Sequence, residues 1–203
     1  MTPVLPKANA NITSKNAQSR RELRALRNSV SASDRARAES CIAENLLTMP
    51  AYRRARHIGI YLAADGECSL QEFIHRTRNS DKYFYAPVIE GESLRFAQLD
   101  SNSTLKPNRF GIPEPREGRY IDSRSLNLVL TPLVAFDDLG SRLGMGGGFY
   151  DREFQFLQHR TNWLRPKLIG IGFELQHVRR IESSPWDVRL WSAVTENRSY
   201  NFS

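Results

Sequence analysis

The sequence predicts an α/β fold, a single sheet covered by helices on both faces. Three observations carry that prediction. Short apolar runs rich in Ile, Val, Leu and aromatic residues alternate along the chain with segments of helical periodicity. These runs are continuous rather than alternating, as strands buried on both faces are. A chain of 203 residues with 40% hydrophobic and 25% charged content also has enough apolar surface for one ordinary core without a staple.

Taken in order, residues 1–19 are rich in Asn, Ala, Ser and Thr, with two lysines and no acid. They lack the apolar stretch of a secretory signal and are expected to form a disordered tail ahead of a single domain over 20–203. Leu23, Leu26 and Val30 then fall at helical spacing, while Arg20, Arg24 and Arg27 form a separate basic stripe. Ser31 to Asp34 supply N-cap residues for a second helix that buries Ala38, Ile42, Leu46 and Met49 until Pro50 stops it. A buried strand is expected over 57–63 and a helix over 69–78, followed by strands over 83–88 and 94–99 joined at Glu90-Gly91-Glu92. Three prolines and two glycines make 107–119 a loop. The strongest strand signal lies over 126–135, and a helix is expected over 150–164. Two more strands are expected over 167–173 and 190–195.

Several classes fall away. No apolar run approaches the ~20 residues of a membrane span. Cys41 and Cys68 form neither a CxxC pair nor a cluster with His, which argues against a disulfide scaffold or structural zinc and for a cytoplasmic protein. The net charge of +7 resides entirely in residues 1–60, with 11 Lys or Arg against 4 Asp or Glu. Such a basic arm suits phosphates of any kind. Tyr52 is the only aromatic residue in that stretch, too little for nucleic-acid stacking, so neither nucleic acid nor membrane is an expected partner and the protein is expected to be a monomer.

The chemistry concentrates in Phe136-Asp-Asp-Leu-Gly-Ser-Arg-Leu-Gly-Met-Gly-Gly-Gly-Phe-Tyr-Asp-Arg152, between the best strand and a helix. Gly144, Gly146, Gly147 and Gly148 let backbone amides approach a ligand, Arg142 and Arg152 add positive charge, and Asp151 suits a metal bridging phosphates. There is no Gly-Lys-Ser/Thr of a P-loop, and no third glycine at 149 as a dinucleotide motif needs. The spacing favours phosphate binding over a merely tight turn.

The run from Pro132 to Arg152 closely resembles the signature of the 5-formyltetrahydrofolate cyclo-ligases, also called methenyltetrahydrofolate synthetases. Four further segments resemble that family in the same order: Arg20-Arg-Glu-Leu-Arg24, the first strand with Gly66-Glu67, Phe110-Gly-Ile-Pro-Glu-Pro115, and Pro185-Trp-Asp-Val188 with Ala193-Val-Thr195. The resemblance implies a three-layer α/β/α fold with a mostly parallel central sheet. It also implies an ATP- and Mg²⁺-dependent ring closure of 5-formyltetrahydrofolate to 5,10-methenyltetrahydrofolate, releasing ADP and phosphate. By position, Arg20, Arg21, Glu22, Leu23, Arg24 and Arg142, Leu143, Gly144, Met145, Gly146, Gly147, Gly148, Phe149 and Tyr150 would contact ATP. Leu62, Glu67 and Met145 to Phe149 would contact the folate, Asp151 and Asp187 would hold the magnesium, and Arg142 and Asp151 would carry catalysis. The chain departs from the family pattern at Arg20 (commonly Lys), Phe149 (commonly Tyr) and Trp186 (commonly His). The alternatives are a relative that keeps the ATP loop for another substrate or for regulation, discriminated at Glu67 and Asp187, and a basic nucleic-acid binder.

Overall fold

The computed structural model describes residues 17–159 and 165–202. Three helices come first, α1 (Ala17–Asn28), α2 (Ala32–Thr48) and α3 (Pro50–Arg54). Strand β1 (His57–Gly59), α4 (Gln71–Thr77) and a hairpin of β2 (Tyr83–Glu90) and β3 (Ser93–Leu99) follow. A smaller hairpin, β4 (Leu105–Pro107) and β5 (Pro113–Pro115), precedes β6 (Tyr120–Ile121) and β7 (Leu128–Pro132). A third hairpin, β8 (Ala135–Phe136) and β9 (Arg142–Leu143), leads into α5 (Phe149–Phe154), and β10 (Lys167–Ile171), β11 (Ser192–Val194) and β12 (Ser199–Asn201) complete the chain.

The main sheet has the order β12-β11-β10-β7-β1-β2-β3-β6. Its five inner strands run parallel, and β12, β3 and β6 pair antiparallel at the edges. Successive residues of the inner strands feed opposite faces, as the pleat requires. Leu128 and Leu130 join the core under α2 and α4 with Ile42, Leu46 and Phe73, whereas Val129 joins Phe96, Phe136 and Phe154 on the other side. The chain leaves β1 toward β2 on one side and returns through β7 toward β10 on the other. The ends of β1 and β7 therefore diverge, and a crevice opens where the sheet order reverses.

The local departures from the sequence expectation have physical causes. Helix α1 begins at Ala17, so the expected tail loses 17–19 to the helix, and residues 1–16 lie outside the described part. Ser31 caps α2 by accepting from Asp34 N at 3.1 Å, and Pro50 both ends that helix and occupies the first turn of α3, where its missing N–H is harmless. The strand expected over 57–63 pairs only over His57–Gly59, although Ile60 N still donates to Tyr85 O at 2.8 Å.

The apolar run over 126–135 is divided into β7 and β8 because side chains take its carbonyls between them. Leu133 O accepts from Arg27 Nη1 at 3.1 Å and Gln176 Nε2 at 2.7 Å, and Val134 O accepts from the same amide at 3.1 Å. The proline-rich loop contains the β4–β5 ladder, with Pro107 opposite Pro113, a place open to proline because the pair is only two strands wide. The helix expected over 150–164 is α-helical only over Phe149–Phe154, continues as a 3-10 turn over Gln155–His159, and then passes outside the described residues. Strand β12, short and polar, carries no apolar signal in the sequence.

Candidate active site

A cleft of about 970 Å³ occupies the crevice beyond β1 and β7. Tyr61 and Leu62 enter it from the end of β1, Pro132 and Leu133 from the end of β7. The glycine run 144–148 forms one wall and the segment from Ala64 to Glu67 another.

The glycine wall is mostly backbone. Gly146 has φ +102° and Gly148, the residue before α5, has φ +66°, and a Cβ at Gly148 would stand 2.8 Å from Arg152 Nη1. Arg20 Nε donates to Gly144 O at 3.0 Å, which ties α1 to the start of the run. At its far end Arg152 Nη2 donates to Gly147 O at 2.8 Å and to Glu92 O at 3.1 Å, tying the run to the β2–β3 turn. Helix α5 is only six residues long, so an anion here would be met by the amides of the run more than by a helix dipole.

Behind this wall lies a partly buried ion pair. Arg142, 8% exposed, donates Nη2 to Asp151 Oδ1 at 2.7 Å and Nη1 to Val188 O. Val188 N donates to the same Asp151 oxygen at 3.0 Å. Burial lowers the guanidinium's proton affinity and the charges of Asp151 and Asp187 oppose that, so Arg142 remains a cation. Asp187 Oδ2 accepts from Ser184 N at 2.6 Å, which fixes the turn that carries it. Both acids line the cleft. Among the described residues no three His, Cys, Asp or Glu gather into a cage. Two carboxylates beside the glycine run nonetheless fit Mg²⁺, which takes one or two carboxylates and completes its shell with phosphate oxygens and water. Asp151 would meet a cation with its other oxygen, since Oδ1 is committed to Arg142 and Val188.

The opposite wall is held by side chains. Asp65, with φ +49°, is the hub. Its Oδ2 accepts from Arg24 Nε at 2.7 Å and Arg27 Nη2 at 2.9 Å, and its carbonyl accepts from Arg27 Nη2 at 2.6 Å. Arg35 Nη1 donates to Gly66 O at 2.6 Å. This frame presents Glu67, whose Oε2 accepts from Ala64 N at 3.0 Å. Desolvation pushes the Glu67 carboxyl above its ordinary value, against the Ala64 amide and the Arg27 charge. Tyr150 stands between the walls, lining the cleft with a buried hydroxyl that has no hydrogen-bond partner among the described residues.

The structure therefore brings together Arg20, Arg24, Leu62, Glu67, Arg142, Leu143, Gly144 to Asp151 and Asp187. It leaves Arg21, Glu22 and Leu23 outside. About 100° per residue carries Arg21 and Glu22 round from the Arg20–Arg24 face, and Leu23, at its other edge, is taken by the core against which α1 docks. Arg21 and Glu22 face solvent, and Leu23 is buried against Val134, Ala135, Leu143, Val178 and Ile181. The basic stripe also does more than line a site. Arg27, fully buried, is the main strut of the Asp65 frame, a role its i+7 spacing from Arg20 hints at without specifying. Asp65 itself carries no sequence signal. Glu114 of the Phe110-to-Pro115 motif is structural, accepting from Ile89 N and Asn108 Nδ2 at 3.2 Å each and so pinning the β4–β5 hairpin to β2.

Comparison with known proteins agrees with this geometry. The sequence profile of the 5-formyltetrahydrofolate cyclo-ligase family matches residues 12–196. The 5-formyltetrahydrofolate cyclo-ligase of Haemophilus influenzae is 34% identical over 189 residues, covering 90% of this chain and 98% of its own. That of Escherichia coli K12 is 34% identical over 169 residues, with 79% and 88% covered. The solved structure of Aquifex aeolicus 5,10-methenyltetrahydrofolate synthetase superposes with a TM-score of 0.78 at 26% identity, covering 90% of each chain. A shared topology at that similarity, a profile match across nearly the whole chain and a cleft at the sheet's reversal point lead to one assignment: the chain is an enzyme of the 5-formyltetrahydrofolate cyclo-ligase family.

Proposed function

We propose that this chain closes 5-formyltetrahydrofolate to 5,10-methenyltetrahydrofolate at the cleft between β1 and β7, with ATP as phosphoryl donor and Mg²⁺ as the accompanying cation. The supporting observation is the asymmetry of the cleft. Backbone amides, Arg20 and the Arg142–Asp151 pair lie on one wall, and a framed, partly desolvated carboxylate, Glu67, lies on the other. The first suits a triphosphate and the second the N–H groups of a pterin.

The chemistry requires both. A formamide carbon is a poor electrophile because its nitrogen lone pair is delocalised. Attack of the formyl oxygen on the γ-phosphorus forms an O–P bond and releases ADP, which makes that oxygen a leaving group. The second folate nitrogen then attacks the formyl carbon, loses its proton, and phosphate departs with the C–O electron pair. The glycine amides and Arg20 hold the triphosphate, while Arg142, fixed by Asp151 and Val188, supplies a charge that needs no rearrangement during transfer. Glu67 orients the pterin by accepting its N–H groups. Asp151 and Asp187 would hold Mg²⁺, which neutralises charge on the phosphates. We take the enzyme to work as a monomer in the cytoplasm. No helix among the described residues is long and apolar enough to cross a membrane.

The test is the growth of methenyl absorbance when the purified protein meets 5-formyltetrahydrofolate. Product is expected only with ATP and Mg²⁺ together. Turnover without nucleotide, or none with MgATP, overturns the proposal.

A further inference from the structure

Trp186 is the most exposed of the large apolar side chains among the described residues, at 63%, and it lines the cleft. Its turn is firmly built. Asp187 Oδ2 accepts from Ser184 N, Asp187 N donates to Ser184 O at 3.0 Å, and Gln158 Nε2 donates to the carbonyls of Pro185 and Asp187 at 3.1 and 3.0 Å. An indole fixed in water keeps its unfavourable hydration and gains no compensating freedom, which is the signature of a surface waiting for a flat apolar partner.

Its place in the cleft indicates which partner. Two residues further on, both backbone groups of Val188 are bound to the Arg142–Asp151 pair. The indole is thus mounted on the bracket that backs the phosphate cradle. Glu67 and Leu62 hang from the other wall, on the Asp65 frame and the end of β1. A triphosphate laid along the glycine run with its α-phosphate toward the Asp187 turn would carry its base one ribose beyond the run, within the same cleft as Trp186.

We propose that Trp186 is the stacking platform for the purine ring of ATP and sets a preference for purine over pyrimidine nucleotides. The proposal rests on the reading of the cleft as an ATP site. Every base has a π-face, but the two-ring purine covers more of an indole and gains more from it.

The experiment uses Trp186→Ala and Trp186→Phe in the full chain, with KM for ATP, GTP, CTP and UTP and for the folate. Trp186→Ala is expected to raise KM for ATP about tenfold, from the usual scale of base–aromatic stacking. It should erase the advantage of ATP and GTP over CTP and UTP while kcat and the folate KM stay within about twofold. Trp186→Phe should restore most of the ATP affinity. A rise in folate KM instead would place the p-aminobenzoyl ring on the indole and overturn the assignment, as would unchanged constants throughout. If wild-type protein shows no turnover, the reading of the reaction fails, and an ATP titration of the fluorescence difference between wild type and Trp186→Phe decides this proposal alone. Quenching supports it, and a flat difference overturns it.

Discussion

The two walls of the cleft solve opposite problems. The glycine wall presents backbone donors and keeps side chains away. Its fixtures, Arg20 at one end and Arg152 at the other, bond to carbonyls of the run and so leave its amides uncommitted to either arginine. The Asp65 wall presents a single carboxylate and is braced by side chains throughout, with Arg24, Arg27 and Arg35 converging on three consecutive residues. A multiply charged, flexible phosphate chain is served by many equivalent donors. A rigid heterocycle needs one acceptor in one place. The comparison teaches that damage to the first wall should appear in chemistry and damage to the second in stability and folate affinity.

The largest expected effect tests the first half of that statement. Asp151→Asn should lower kcat by more than about a hundredfold, by loss of the metal-facing charge and of the anchor of Arg142. Placement at the helix start alone suggests that the fold would be untouched. The structure adds a stability loss on the order of 1–2 kcal/mol, because Asn keeps the hydrogen-bond acceptor but not the charge opposite a buried guanidinium. A magnesium titration of turnover beside a thermal melt checks both. Near-normal turnover at ordinary magnesium would mean that amides and arginines suffice.

Arg27→Ala probes the second wall. It removes a fully buried guanidinium and leaves the carbonyls of Leu133 and Asp65 short of a donor. A destabilisation of about 3 kcal/mol is expected, which for a domain of this size lowers Tm by about 6–12 °C. At temperatures where the variant is folded, folate KM should rise more than ATP KM. Equal rises would show that the frame serves both walls and dissolve the distinction.

The smallest effect has a definite sign in pH. Burial raises the Glu67 carboxyl above its unfolded value, so its favourable contribution is complete below the ordinary Glu range and is lost as pH rises through the folded value. Once ionised, Glu67 therefore weighs against folding. Glu67→Gln should melt slightly above wild type once Glu67 is ionised, with the gap closing as pH falls through the raised folded value and gone by about pH 4, while folate KM rises. A variant less stable than wild type at neutral pH would show that Arg27 and the Ala64 amide outweigh desolvation.

Much of this was legible from residues alone, for identifiable reasons. The α2 boundaries were written in local chemistry, Ser31 as cap and Pro50 as stop. Continuous apolar runs announced strands buried on both faces. The glycine run, with Arg142 and Asp151 at fixed short separations, placed one wall of the cleft because its parts are neighbours in sequence. Where expectation failed, a distant partner intervened. Arg27 and Gln176, 106 and 43 residues from Leu133, divide the 126–135 run into two strands. Arg21, Glu22 and Leu23 share a motif with Arg20 and Arg24, but the way α1 docks turns them out of the cleft.

By itself, then, the sequence determined the fold class, the extent of α2, α4 and the β2–β3 hairpin, and the composition of the glycine wall, all properties of periodicity and of residues within a turn of one another. Tertiary structure decided the rest. Packing turned a basic stripe into a cleft lining at Arg20 and Arg24 and a buried strut at Arg27. It made the unremarked Asp65 a hub for three α1 side chains, Arg24, Arg27 and Asn28, from 37 to 41 residues away. It also spent one oxygen of Asp151 on Arg142 and Val188 before any cation arrives. These outcomes depend on which groups meet across the sheet's reversal point, and no local pattern encodes a meeting between segments so far apart.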